Sequence, residues 1–160
     1  MKYKHTTLAL MLAAAGLATG AAHAQEKVTI GFITDMSSLY SDVEGKGGAT
    51  AIQMAIDDFG GKALGQPIEL LTADHQNKAD IAASKAREWI DTQGATMIFG
   101  GTNSGTALAT AKVAQEKKRV YINNGAASSA LTNEQCSPYT MHYAYDTVAL
   151  AKGTGGAVVD

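Results

Sequence analysis

The sequence predicts an α/β fold, a parallel sheet with helices on both faces. Runs of β-branched and aromatic residues alternate with stretches of helical apolar spacing, and the links between them are short and rich in glycine. Alternation of this kind builds right-handed crossovers between parallel strands, with helices covering the sheet. The 160 residues, 46% hydrophobic and 18% charged with a net charge of -2, suit one compact domain and are too apolar for disorder.

Each element has its own signal. Residues 27–35 (KVTIGFITD) form a strand that ends in polar residues, and 36–44 a polar loop. Residues 45–59 carry Ile52, Ala55, Ile56 and Phe59 on one helical face, and Gly60-Gly61 ends that helix. Residues 67–73 (PIELLTA) form the second strand. Asp80 is expected to N-cap a helix running to Gln93, with Ala82, Ala86, Trp89 and Ile90 turned inward. Residues 96–99 form a third strand before Gly100-Gly101. Residues 104–118 form a third helix with Leu108, Ala111 and Ala114 inward, ending in the solvated cations Lys117, Lys118 and Arg119. Residues 120–123 and 139–143 are strands, separated by a small-residue loop with one helical turn near 128–131. A further helix begins at Asp146 and the chain stops inside it, the mark of a longer protein.

Residues 1–24 read as a cleaved secretory leader, with Lys2 and Lys4, an apolar stretch, and the small-x-small site Ala22-His23-Ala24. The apolar stretch is shorter than the about 20 residues a membrane span needs. The mature chain then starts at Gln25 and is exported. Export places the single cysteine, Cys136, in an oxidising compartment. It is either a buried free thiol or the partner of a cysteine elsewhere in a longer protein. A catalytic thiol is disfavoured, because only His142 lies near it as a base.

Ligands of such sheets bind at the carboxyl ends of the strands, which selects the loops 36–44, 74–78, 100–105 and 124–129. A nucleotide site is disfavoured, because G-x-x-x-x-G-K-S/T and G-x-G-x-x-G are both absent. No basic stretch marks a nucleic-acid partner. Asp74-His75 is the only close acid-histidine pair and has no further ligand at metal spacing, so His75 is expected to order its loop and no metal or other cofactor is expected. No G-x-S-x-G elbow points to a hydrolase. What remains is Gly100 to Thr106, with Asn103, Ser104 and Thr106 at the start of a helix, and the similar loop holding Ala126, Ala127 and Ser128. Unpaired N–H groups and the helix dipole suit a small carboxylate there. Capping and tight turns alone are the competing reading.

These segments resemble the type I periplasmic binding proteins, and within them the Leu/Ile/Val-binding branch of ABC importers. The resemblance runs from Glu26 to Asp160 through IGFITDMSSLYSD, GKGGATAIQMAIDDFGG, PIELLTADHQNKAD, FGGTNSGTALA and INNGAASSALT. ADHQNKAD and CSPYTMHYAYDT are most similar to a subgroup associated with uptake of aromatic acids and other small carboxylates. The resemblance implies two α/β lobes closing on a ligand, of which residues 25–145 match the first and 146–160 begin the crossover to the second. It implies that Ser104 binds the ligand carboxylate through hydroxyl and backbone N–H, that the loop Ala126, Ala127, Ser128 holds the same end, and that the Tyr40 ring lines the apolar part. Amino-acid binders usually carry threonine where Ala127 stands, which leaves room for a carboxylate without an amine.

The expectation is therefore the periplasmic substrate-binding component of an ABC importer, without catalysis, with a small carboxylate and a membrane permease as partners. Two alternatives stay open, a periplasmic hydrolase-like enzyme on an α/β sheet and the ligand-sensing ectodomain of a receptor. The first needs an activated nucleophile, an acid-base pair or a metal; the second needs a membrane span later in the chain.

Overall fold

A computed structural model describes residues 27–159; the expected leader and its cleavage site lie outside the described residues. Eleven segments follow in order: β1 (Val28–Thr34), α1 (Gly45–Asp58), β2 (Lys62–Ala63), β3 (Gln66–Asp74), α2 (Ala79–Thr92), β4 (Ala95–Phe99), α3 (Ser104–Lys117), β5 (Val120–Asn123), a 3-10 turn (Ser129–Leu131), β6 (Thr140–His142) and α4 (Thr147–Val159). The strands form one sheet in the order β2-β3-β1-β4-β5-β6. All pairings are parallel except β2 with β3. The predicted α/β class with a parallel sheet is therefore the one found. The chain steps outward from β1 to β3, then crosses back over β1 to β4. That reversal puts the switch point, the place where ligands bind in open α/β sheets, between the carboxyl ends of β1 and β4.

Alternation along β1 assigns the two faces. The site of a Cβ on Gly31 lies 2.6 Å from the Trp89 ring, so this glycine makes room for α2 to seat its tryptophan on the strand backbone. The next residue, Phe32, points the other way, and a Cβ on Gly48 of α1 would come within 2.8 Å of its ring. The main core fills the α2/α3 face with Ile33, Ala82, Ala86, Trp89, Ile90, Ile98, Ala111, Ala114 and Tyr121, which includes the inward residues expected of α2. Small alanines on both helices let α2 and α3 lie close to the sheet and to each other.

Several details depart from the sequence expectation. The α1 face is only half used: Ile56 is buried, but Ala55 and Phe59 are exposed, Phe59 at 71%. α1 meets the sheet at Gly48 and Ile56, and among the described residues no second helix flanks it. Asp80 is not the cap of α2. Lys78 holds the N-cap position without a side-chain bond, and Asp80 sits in the first turn, where its charge complements the helix dipole. A short strand, β2, was not expected; Leu64 and Gly65, with φ of 53° and 80°, make a tight hairpin turn into β3. Cys136 is exposed, which removes the buried-thiol reading. Asp146 does start α4, its carboxylate accepting the Ala149 N–H at 2.7 Å.

Candidate ligand-binding site

The strand ends at the switch point are held by side chains that bond backbone. Asp35, just after β1, is fully buried. Its carboxylate accepts from the N–H groups of Ser38 at 2.8 Å and Tyr40 at 2.9 Å, and from the Ser38 hydroxyl at 2.5 Å. Burial pushes its pKa up, but these bonds outweigh it and hold the group at about 2. Asp35 thereby folds the loop that carries Tyr40, which is half-buried. Asp74, at the end of β3, accepts the Met36 N–H at 3.0 Å and ties that loop to its neighbour. His75 is buried and accepts the Asn77 N–H on Nδ1 at 2.9 Å, so it orders its own loop as expected. Burial lowers its pKa against the pull of the Asp35, Asp74 and Glu44 charges, which keeps the ring neutral near pH 7.

At the end of β4 the chain turns through Gly100 and Gly101, with φ of 117° and 108°. A Cβ on Gly100 would lie 2.5 Å from the Ile33 carbonyl oxygen, so only glycine fits. Two buried residues of β5 fix this turn. The Tyr121 hydroxyl donates to the Gly100 carbonyl at 2.8 Å, and the Asn123 amide donates to the Gly101 carbonyl at 2.7 Å. Burial drives the Tyr121 phenol well above its ordinary pKa, so it stays a donor.

The turn leads into α3. Asn103 caps it, its side chain accepting the Thr106 N–H at 3.0 Å. Thr106 is buried and its hydroxyl donates to the Asn103 carbonyl at 2.9 Å, so this residue serves the cap rather than offering a free hydroxyl. Ser104 and Gly105 follow, half-buried and exposed, with N–H groups in the first turn that the helix itself cannot satisfy. On the neighbouring loop Ala126 is fully buried and its carbonyl accepts from the His142 ring at 2.6 Å, while Ala127 and Ser128 are half-buried. A Cβ on Gly125 would lie 3.1 Å from the Thr102 methyl, so the two loops pack side by side. Of the residues singled out in the sequence, the fold thus gathers Asn103, Ser104, Ala127 and Ser128 on adjacent strand ends, with Thr106 and Ala126 beneath them as support. Tyr40 stands on the loop after β1, on the far side of β4.

Tyr121, Asn123, Asp35 and Glu44 were not singled out in the sequence. Glu44 accepts from Thr34, ten residues away, and from Asn124, 80 residues away, so no local motif betrays it. A cavity of about 380 Å³ lined by Leu108, Lys112, Glu134 and Cys136 lies further along α3 and shares no lining residue with these loops.

Solved structures similar to this chain are named as binding proteins. No curated protein matches the chain. A periplasmic binding protein from Burkholderia mallei is 68% identical with a TM-score of 0.81, over 83% of this chain and 36% of that one. A branched chain amino acid ABC transporter periplasmic ligand-binding protein from Burkholderia xenovorans is 44% identical with a TM-score of 0.77, over 82% of this chain and 35% of that one. A solute binding protein of an ABC transporter from Rhodopseudomonas palustris, in complex with 3,4-dihydroxy benzoic acid, is 27% identical with a TM-score of 0.68, over 75% of this chain and 32% of that one. The chain therefore spans about a third of the length of these structures. The family model described as periplasmic binding protein matches residues 27–160, and with that match and the one-lobe sheet the chain belongs to the type I periplasmic binding protein family.

Proposed function

We propose that this chain is the first lobe of the substrate-binding component of an ABC importer. It binds a small carboxylate, a branched-chain amino acid or an aromatic acid, and passes it unaltered to a membrane permease. Residues 1–24 direct it to the periplasm and are removed, and the chain from 146 onward leads toward a second lobe.

The observation that carries this reading is the first turn of α3. Its cap is complete through Asn103, which leaves the Ser104 and Gly105 N–H groups and the Ser104 hydroxyl for an anion, at the switch point of the sheet. Ser128 adds a second hydroxyl from the adjacent loop, and Tyr40 supplies an apolar wall. The relatives named as ligand-binding or solute-binding proteins support the role, and the bound dihydroxybenzoate in one of them supports a carboxylate. An alanine at 127, where amino-acid binders carry threonine, favours the aromatic acid over the amino acid.

An enzyme is disfavoured by the titratable groups nearby. The Asp35 carboxylate is committed to loop donors and held at about 2, and His75 is buried away from solvent with Nδ1 engaged, so neither is presented to a ligand as an acid or base. The test is a thermal-shift screen of the full-length protein against small carboxylates and their methyl esters. Carboxylates should raise the melting temperature and the esters should not. Equal shifts by acid and ester would contradict the anion site.

A further inference from the structure

Glu44 sits where a loop residue has no need to be. It occupies the N-cap position of α1, yet its side chain makes no capping bond. Instead Oε2 accepts from the Thr34 hydroxyl at 2.5 Å and Oε1 accepts from the Asn124 amide at 2.6 Å. Thr34 ends β1 and Asn124 follows β5, and β4 lies between those two strands. A carboxylate bonded to both must therefore cross the end of β4, above the Gly100-Gly101 turn that leads to Ser104. The Glu44 charge also acts on the Tyr121 phenol, whose hydroxyl touches Gly100 from below.

This places a negative charge beside a site that suits an anion. A bare carboxylate entering at Ser104 is repelled by it. A ligand that also carries a hydrogen-bond donor turns the same charge into an attraction. Two bonds leave capacity on Glu44, because a carboxylate has about four acceptor positions, and the residue is half-buried rather than sealed. We propose that Glu44 is a specificity-determining residue, accepting from a hydroxyl or ammonium on the carboxylate ligand; this rests on the carboxylate-binding reading above. The clasp between Thr34 and Asn124 holds it in place for that task.

The test is calorimetry on the full-length protein, wild type and Glu44→Gln, with two matched pairs: leucine against isocaproate, and para-hydroxybenzoate against benzoate. The wild type should bind the donor-bearing member of one pair about tenfold or more tighter than its partner. Which pair responds identifies ammonium or hydroxyl as the donor. Glu44→Gln should weaken that member by about tenfold to a hundredfold, and leave the donor-free acid unchanged or tighter. A purely structural clasp would instead weaken both members alike, and that result overturns the proposal. Equal wild-type affinity within both pairs overturns it too, even if the variant does not fold. Should no acid of the four bind the wild type, the carboxylate reading itself fails and the role of Glu44 with it.

Discussion

The phenol oxygen of Tyr121 lies 2.4 Å from where a Cβ on Gly101 would stand, and it donates to the carbonyl of Gly100 at 2.8 Å. One side chain thus both shapes and fills the turn that aims the start of α3. Gly101→Ala should destabilise the protein by about 2–4 kcal/mol, combining overpacking with a strained φ. Tyr121→Phe alone should cost about 1 kcal/mol, the net worth of one hydrogen bond. The double variant should lose less than the sum, because the nearer of the two atoms that the new methyl strikes is gone, while the Asn123 amide nitrogen at 2.8 Å and the strained φ remain. Urea unfolding of the four proteins measures this, and simple additivity would mean that the turn relaxes some other way.

Asp35 contributes to the acid limb of stability. Its folded pKa of about 2 lies below the 3.8 of a free aspartate, so it binds a proton more weakly folded than unfolded. Its contribution is complete above about pH 4 and is lost as pH falls toward about 2. Asp35→Asn should be less stable at neutral pH by about 1–3 kcal/mol, through bonds that a single amide oxygen cannot accept. The gap between variant and wild type should narrow between about pH 4 and about pH 2. Melting temperatures across that range check the sign; a gap that widens on acidification would show that the loop bonds do not depend on the charge.

Leu64 is 97% exposed and holds φ 53° in the hairpin turn before β3. A leucine gains nothing from that exposure and pays the left-handed strain, whereas asparagine adopts this conformation readily before glycine. Leu64→Asn should raise stability by about 0.5–1 kcal/mol with no change in ligand binding. Thermal unfolding and calorimetry check the two halves separately.

The same hairpin shows why some of the fold was hidden in the sequence. Leu-Gly is a poor advertisement for a turn that usually takes Asn-Gly, and a two-residue strand has no periodicity to read. The long strands were legible as β-branched and aromatic runs such as residues 28–33, and α2 was legible because Ala82, Ala86, Trp89 and Ile90 repeat at helical spacing. α1 misled at its far end. Phe59 continues the apolar spacing, but the described chain puts nothing over it. At the strand ends, the start of α3 at Asn103 and Ser104 was legible because small polar residues directly follow a strand and two glycines. Tyr121, Asn123 and Glu44 were not, since each acts through partners that only the sheet order brings near.

The most direct test of the account is the affinity of Ser104→Ala for the wild-type ligand, measured by calorimetry on the full-length protein. Ser104 is half-buried at the first position of α3, and the cap that Asn103 makes with Thr106 does not involve it. Removing its hydroxyl should take away one charge-assisted hydrogen bond and weaken binding by about tenfold to a hundredfold, with the melting temperature nearly unchanged. Equal affinity in wild type and Ser104→Ala would mean that the carboxylate does not dock at the start of α3, and the central claim would be wrong.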